Sequence, residues 1–202
     1  MTGVANFNET FFTDVRVPKN QIVGERGQGW QVAHAILGHE RDTLAPPNTA
    51  QTRINALVEL MKTETAGGER LIDNPIYKDR LMKIQGRVLA MKYNDMRVLS
   101  SRLNPGQDAS LSRMITKLQG TELRHELEGL AIDIMGEVGL SYDDNPHLRG
   151  AGSWQREYMY YLGLIIGGGT SQIQKNIISE RGLGMPRAVS YTHLRAHETS
   201  NH

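Results

Sequence analysis

From Thr49 to Met135 the apolar residues recur at helical spacing with only two interruptions, Gly67-Gly68 and Asn104-Pro105-Gly106. Each helix written this way has one apolar face and must bury it on a neighbour, so the pattern demands antiparallel helices joined by short links. The first segment carries Ile54, Leu57, Val58 and Met61 on one face and closes at Gly67-Gly68. The second starts near Pro75 and carries Leu81, Ile84, Val88, Met91, Val98 and Leu99. The third starts at Asp108 or Ser110 and carries Leu118, Leu123, Leu127, Leu130, Ile134 and Met135. Two shorter helices, Trp154 to Ile166 and Thr170 to Arg181, flank Gly167-Gly168-Gly169. Upstream, Trp30, Val32, Ala33, Ile36 and Leu37 also follow helical spacing, and Pro46-Pro47 must break that helix. Met61, Met82, Met91, Met96, Met114 and Met135 are expected to fill gaps in the core, and Trp30 and Trp154 to anchor packing.

The first stretch reads differently. Phe11, Phe12, Val15, Val17, Ile22 and Val23 are aromatic or β-branched, Pro18 opposes helix, and Gly24, Gly27 and Gly29 punctuate a turn. Residues 6 to 17 are expected to form one or two strands at a sheet edge. An isolated strand pair is marginal in water, so this piece wants a sheet that the chain does not otherwise contain.

At 202 residues the chain is one domain, or one domain plus part of another. Lys plus Arg is 23 and Asp plus Glu 22, so no basic excess points to nucleic acid. The absence of cysteine removes disulfides, Cys-based zinc sites, Cys-ligated iron–sulfur clusters and thiol catalysis. It fits a reducing compartment, and a cytoplasmic location is the expectation. No apolar run reaches the roughly 18 residues needed to span a bilayer, and Met1 to Asn6 reads as no signal peptide. His34, His39, His125 and His147 show no metal-ligand spacing, and no metal is expected.

The C-terminus is set apart. Val189 to Thr199 reads VSYTHLRAHET. A codon string for it resembles the transposon end and adapter of transposase-based sequencing libraries. Residues 188–202 are therefore read as translated adapter, and the His193/His197 spacing inside them is not counted as a metal pair.

Two segments are distinctive. Asn8 to Pro18 (NETFFTDVRVP) continues through Ile22-Val23-Gly24-Glu25 to Gly29-Trp30, and Gly167 to Ile178 (GGGTSQIQKNII) continues to Arg187. Together, in this order and at this separation, they resemble the acyl-CoA dehydrogenase family over residues 6 to 187. The resemblance implies a mainly α chain: the C-terminal four-helix-bundle domain of the acyl-CoA dehydrogenase fold, preceded by the last strands of a β-domain. Residues 1–25 would end the middle β-domain and 26–187 would form the bundle. The N-terminal helical domain and most of the β-domain would lie outside this chain.

The chemistry that the resemblance implies is abstraction of an acyl-CoA α-proton by a carboxylate with β-hydride transfer to FAD. Electrons would pass to an electron-transferring flavoprotein, and the family assembles as homo-oligomers or heteromers. Such a base works from a dry pocket, where desolvation brings a carboxyl toward neutral pKa. Many members place that Glu directly before the Gly-Thr of the C-terminal signature, and this chain has Gly168 there. A minority, resembling isovaleryl- and long-chain-type enzymes, carry it in a Glu-Arg pair on the first bundle helix, where this chain has Glu40-Arg41. Glu40 is therefore expected to be the base. Arg41 is either a substrate-binding residue that also tunes the base or a surface charge. Thr170, Ser171 and Gln172 resemble the segment that contacts FAD. A plain N-cap predicts the same Thr, and both roles can hold at once.

Two positions depart from the family. Its Arg-Lys-x-Phe-Gly is replaced by Gly68-Glu69-Arg70-Leu71-Ile72-Asp73, leaving Arg70 a loose substitute. The Gln that meets a neighbour's pyrophosphate is replaced by Asp133, which would repel it unless bridged. Three readings stay open: a dehydrogenase, inactive as this piece alone; a scaffolding subunit of a heteromer; and a related acyl-CoA oxidase or flavin monooxygenase.

Overall fold

The computed structural model describes residues 2–5, 7–44, 47–104, 106, 109–142 and 145–187. The segment 188–202 lies outside them, as do Pro46, Pro105 and Asp108. Six helices follow in order: α1 (Gly29–Thr43), α2 (Pro47–Thr63), α3 (Pro75–Leu103), α4 (Ser110–Met135), α5 (Ser153–Ile166) and α6 (Ser171–Ile177). A single π turn, Ile178–Gly182, extends α6. No helix among the described residues is long and apolar enough to cross a membrane.

Local chemistry sets most of the boundaries. Asn74 caps α3: its Oδ1 accepts the N–H of Ile76 at 2.9 Å and of Tyr77 at 3.3 Å, and Pro75 supplies a first-turn residue with no donor to satisfy. α2 likewise begins at Pro47, two residues ahead of the Thr49 expected from the pattern. It ends at Thr63 rather than running to the glycines. Gly67 and Gly68, with φ of 60° and 87°, instead make the turn of a small hairpin, β1 (Thr65–Ala66) and β2 (Glu69–Arg70). Two successive positive-φ residues are what a tight hairpin turn requires.

α4 is the central helix and packs against α1, α2, α3, α5 and α6. Ile54, Leu57 and Met61 of α2, Ile84 and Val88 of α3, and Leu123, Leu127 and Leu130 of α4 form the core, closed at one side by Trp154. Fully burying each such aliphatic side chain contributes about 1.5–3 kcal/mol. Met61, Met91 and Met135 fill this core as expected, whereas Met82 and Met96 are exposed on the outer face of α3. Trp154 is an anchor; Trp30 is not, being 72% exposed with its ring edge-on to His34.

The expected strands between residues 6 and 17 are absent among the described residues. This stretch carries no ladder, and Phe7, Phe11, Phe12, Val15 and Val17 are all exposed. The reason is the one that the sequence raised: a strand needs a partner edge, and among the described residues the only sheet is the two-residue hairpin β1–β2, which does not pair with it.

Candidate active site

α5 stops because Gly167 turns extended and Gly168 and Gly169 take φ of 65° and 100°. The chain reverses there into α6, whose N-cap is Thr170: its Oγ1 accepts the N–H of Ile173 at 3.3 Å. The reversal is pinned from both sides. Lys117, from the middle of α4, donates through Nζ to the carbonyls of Ile165 (2.9 Å) and Gly169 (2.6 Å). Gln174 donates through Nε2 to the Gly168 carbonyl at 2.7 Å. A Cβ on Gly169 would meet that same Nε2 at 2.7 Å, so the clamp itself requires glycine.

Lys117 is 2% exposed. Its ammonium sits at the carbonyl end of α5, where the helix dipole is negative. Burial nevertheless pulls its pKa below the ordinary lysine value, with Glu122 opposing that shift. The unfolded chain then holds the proton more tightly than the fold. Stability therefore rises with pH between the lowered folded value and the unfolded one near ~10.5. Lys117→Met should remove this rise and speed amide exchange through the 167–174 turn. Denaturant midpoints against pH, wild type and variant in parallel, would check it.

α1 faces α4 and α6 across a groove of about 400 Å3. His34, Gly38 and His39 form one wall, and Lys117 and Gln174 form part of the other. α1 therefore shares this groove with the two side chains that clamp the glycine turn. Glu40 is exposed on α1 and is not on the groove wall. At about 100° per residue it shares a face with Ile36 and Leu37. Ile36 and Leu37 are exposed there too. The side chain of Arg41 lies outside the described residues.

In the segment of the flavin resemblance, Thr170 is half-buried, Ser171 buried and Gln172 exposed. The Ser171 Oγ has no hydrogen-bond partner among the described residues. A buried hydroxyl left in that state suits an outside polar group. The Thr170 hydroxyl, already an acceptor, still has its proton to give. These residues fit a bound flavin nucleotide. The two departures resolve differently. Arg70 pairs with Asp73 at 2.9 Å on the surface. Asp133 is bridged from within: Arg80 pairs with it at 2.7 Å, beside a cavity of about 480 Å3.

A cluster that the sequence reading missed lies at the start of α2. Glu128, fully buried on α4, accepts from Arg53 through both its oxygens and from Arg124 at 3.1 Å. Arg124 also donates to Thr49 (2.8 Å) and Glu157 (3.3 Å), and Arg53 lies 3.6 Å over the Trp154 ring. The available signal was register. Lys117, Arg124 and Glu128 stand seven and four residues apart on one stripe of α4, which also carries the buried Ala131 and Met135. Charges at core positions are rare unless they are paired.

The family profile described as "Acyl-CoA dehydrogenase, C-terminal domain" matches residues 27–183. The chain belongs to the acyl-CoA dehydrogenase family. It is 34% identical to acyl-CoA dehydrogenase IpdE1 of Mycobacterium tuberculosis over 191 residues, 93% of this chain and 46% of that protein. It is 32% identical to acyl-CoA dehydrogenase FadE26 of the same organism, over 89% of this chain and 46% of that one. The ChsE4-ChsE5 complex from Mycobacterium tuberculosis superposes with a TM-score of 0.75 at 31% identity, over 88% of this chain and 46% of that one. The chain thus spans about half the length of the curated relatives it matches. Its family is one of FAD-dependent flavoprotein oxidoreductases, and its helical half is the part described above.

Proposed function

We propose that this chain is the C-terminal half of an FAD-dependent acyl-CoA dehydrogenase and that Glu40 is its base. One observation carries this reading. Gly168, where many family members hold the base, has no side chain and a left-handed backbone, while α1, which carries Glu40, borders a groove with Lys117 and Gln174, the residues that clamp that turn. The Glu40 carboxylate takes the α-proton of the thioester. The electron pair left on the α-carbon forms the new C=C bond as the β-hydrogen leaves with its own pair. Bound FAD supplies the acceptor for that hydride, and an electron-transferring flavoprotein then takes the electrons. Thr170, Ser171 and Gln172 hold the flavin nucleotide, and Arg41 contacts the acyl-CoA.

Glu40 needs a dry site, and exposed Trp30, Ile36 and Leu37 offer apolar surface for the rest of the protein to cover. This half alone is therefore inactive. Met82, Leu89, Met96 and Leu103 recur every seventh residue on the exposed face of α3, which suits packing against another subunit in a homo-oligomer or heteromer. The whole protein works in the cytoplasm. The test is anaerobic addition of acyl-CoA thioesters to the full-length protein: flavin absorbance should bleach, and re-oxidation by air should be slow. Fast re-oxidation with peroxide release would replace the dehydrogenase reading by an oxidase.

The Arg80–Asp133 pair favours a second reading. A carboxylate already holding an arginine presents a neutral pair to a neighbour's pyrophosphate, where the family's Gln would donate. On this reading the chain scaffolds a heteromer and completes no flavin site across its interface. Flavin content per pair of subunits separates the two readings.

A further inference from the structure

Past the groove, a second cavity of about 640 Å3 opens between the start of α2, the middle of α4 and α5. Two of its wall residues tie it to the reacting end. Leu44 lies four residues beyond Glu40 at the exit of α1, and Leu164 lies four residues before Gly168 on α5. The cavity wall thus comes within four residues of both Glu40 and Gly168 along the chain.

The walls are not purely those of a hydrocarbon site, for beside Leu44 and Leu164 they carry charged and hydroxyl groups. Arg53 and Arg124 face Glu157, Tyr160 and Tyr161, with Glu128 behind them. Glu128 is fully used by the two arginines. The network is otherwise incomplete: the Arg124 Nε–H has no acceptor among the described residues, and the Arg124–Glu157 contact is long at 3.3 Å. Glu157 and Tyr160 remain partly open to the cavity at 39% and 47% exposure. Burial pushes the Tyr161 hydroxyl above its usual pKa, so it stays a protonated donor.

We propose that this cavity receives the far end of the acyl group and selects one bearing an uncharged oxygen there, a hydroxyl or a keto group, over a plain hydrocarbon chain. The proposal rests on the dehydrogenase reading above. A hydroxyl donates to Glu157 and accepts from Tyr160 or Arg53. A plain chain strips water from these groups and returns no hydrogen bond. A carboxylate is disfavoured: two arginines and two glutamates already sum to zero, and a further negative charge would sit beside Glu157.

The experiment uses the full-length flavoprotein and pairs of thioesters of equal chain length, ω-hydroxyacyl-CoA against unsubstituted acyl-CoA. At the length that reaches the cavity, kcat/KM for flavin reduction should favour the hydroxylated partner by about tenfold to a hundredfold. Calorimetric affinities should show a preference of the same sign. Glu157→Gln and Tyr160→Phe, both at partly open positions, should bring the ratio toward one. A ratio at or below one at every length, or a preference that both variants retain, overturns this subsite and leaves the dehydrogenase reading standing. Flavin that no thioester reduces overturns that reading, and this inference with it.

Discussion

Replacing Glu128 by alanine should destabilise the fold by about 3–5 kcal/mol, a loss large enough to unfold many domains of this size. The carboxylate is fully buried, and its two partners, Arg53 and Arg124, have side chains only 19% and 5% exposed. Its removal leaves two guanidinium groups in the interior with no counter-charge, and the desolvation already imposed on them is no longer offset. Glu128→Gln should cost less, since it keeps the shape and one acceptor while losing the charge. The informative contrast is the joint replacement Arg53→Met, Arg124→Leu, Glu128→Leu. Apolar side chains of similar volume in place of a buried ion cluster are often neutral or stabilising by about 1–4 kcal/mol. Denaturant midpoints of the three proteins decide the point. If the joint variant is as stable as wild type, the cluster is not retained for stability, which fits charges that serve the cavity beside them. If it is as unstable as Glu128→Ala, the cluster is structural and the cavity's polarity is incidental.

The helices were legible in the sequence and the charged interior was not, for one physical reason. Apolar periodicity reports a face that seeks burial, and it located α2 to α5 within a few residues through Leu57, Ile84, Leu127 and their neighbours. The same rule treats Lys117, Arg124 and Glu128 as noise, because burial of a charge depends on partners far away in the chain. Arg53 lies 75 residues from Glu128, and Lys117 about fifty from the carbonyls that hold it. The hairpin at Gly67-Gly68 escapes a pattern that reads glycines only as a stop; two adjacent glycines, each able to take positive φ, are the better signal. Errors at Trp30, Met82 and Met96 share another cause: periodicity marks the faces that will be covered, and not by which partner. For α1 and α3 the described residues leave that face uncovered. The site was legible only in part. The sequence placed the glycine turn and the Thr170 cap, while the clamp that shapes the turn is tertiary.

In the full-length protein Glu40→Gln should lower the rate of flavin reduction by acyl-CoA about 10³- to 10⁴-fold or more, with thioester affinity nearly unchanged. Gln keeps the size and helix preference of Glu, so α1 should be undisturbed, and only the ability to take a proton is lost. Glu59 and Glu64 make good controls. Glu59 pairs with Lys62 on the surface of α2 and Glu64 pairs with Arg149, so neither is positioned for this chemistry. Their Gln variants should reduce flavin at the wild-type rate. A sharper test moves the base. If Glu40 and Gly168 flank the same substrate carbon, adding Gly168→Glu to Glu40→Gln should restore part of the rate. The recovery should be incomplete, because Gly168 holds φ of 65° and a side chain there costs about 1–2 kcal/mol of backbone strain. The carboxylate must then reach the carbon from a strained turn. Full activity in Glu40→Gln alone would remove Glu40 from the reaction. Loss in that variant with partial return in the double variant would establish both the base and the complementarity of the two positions.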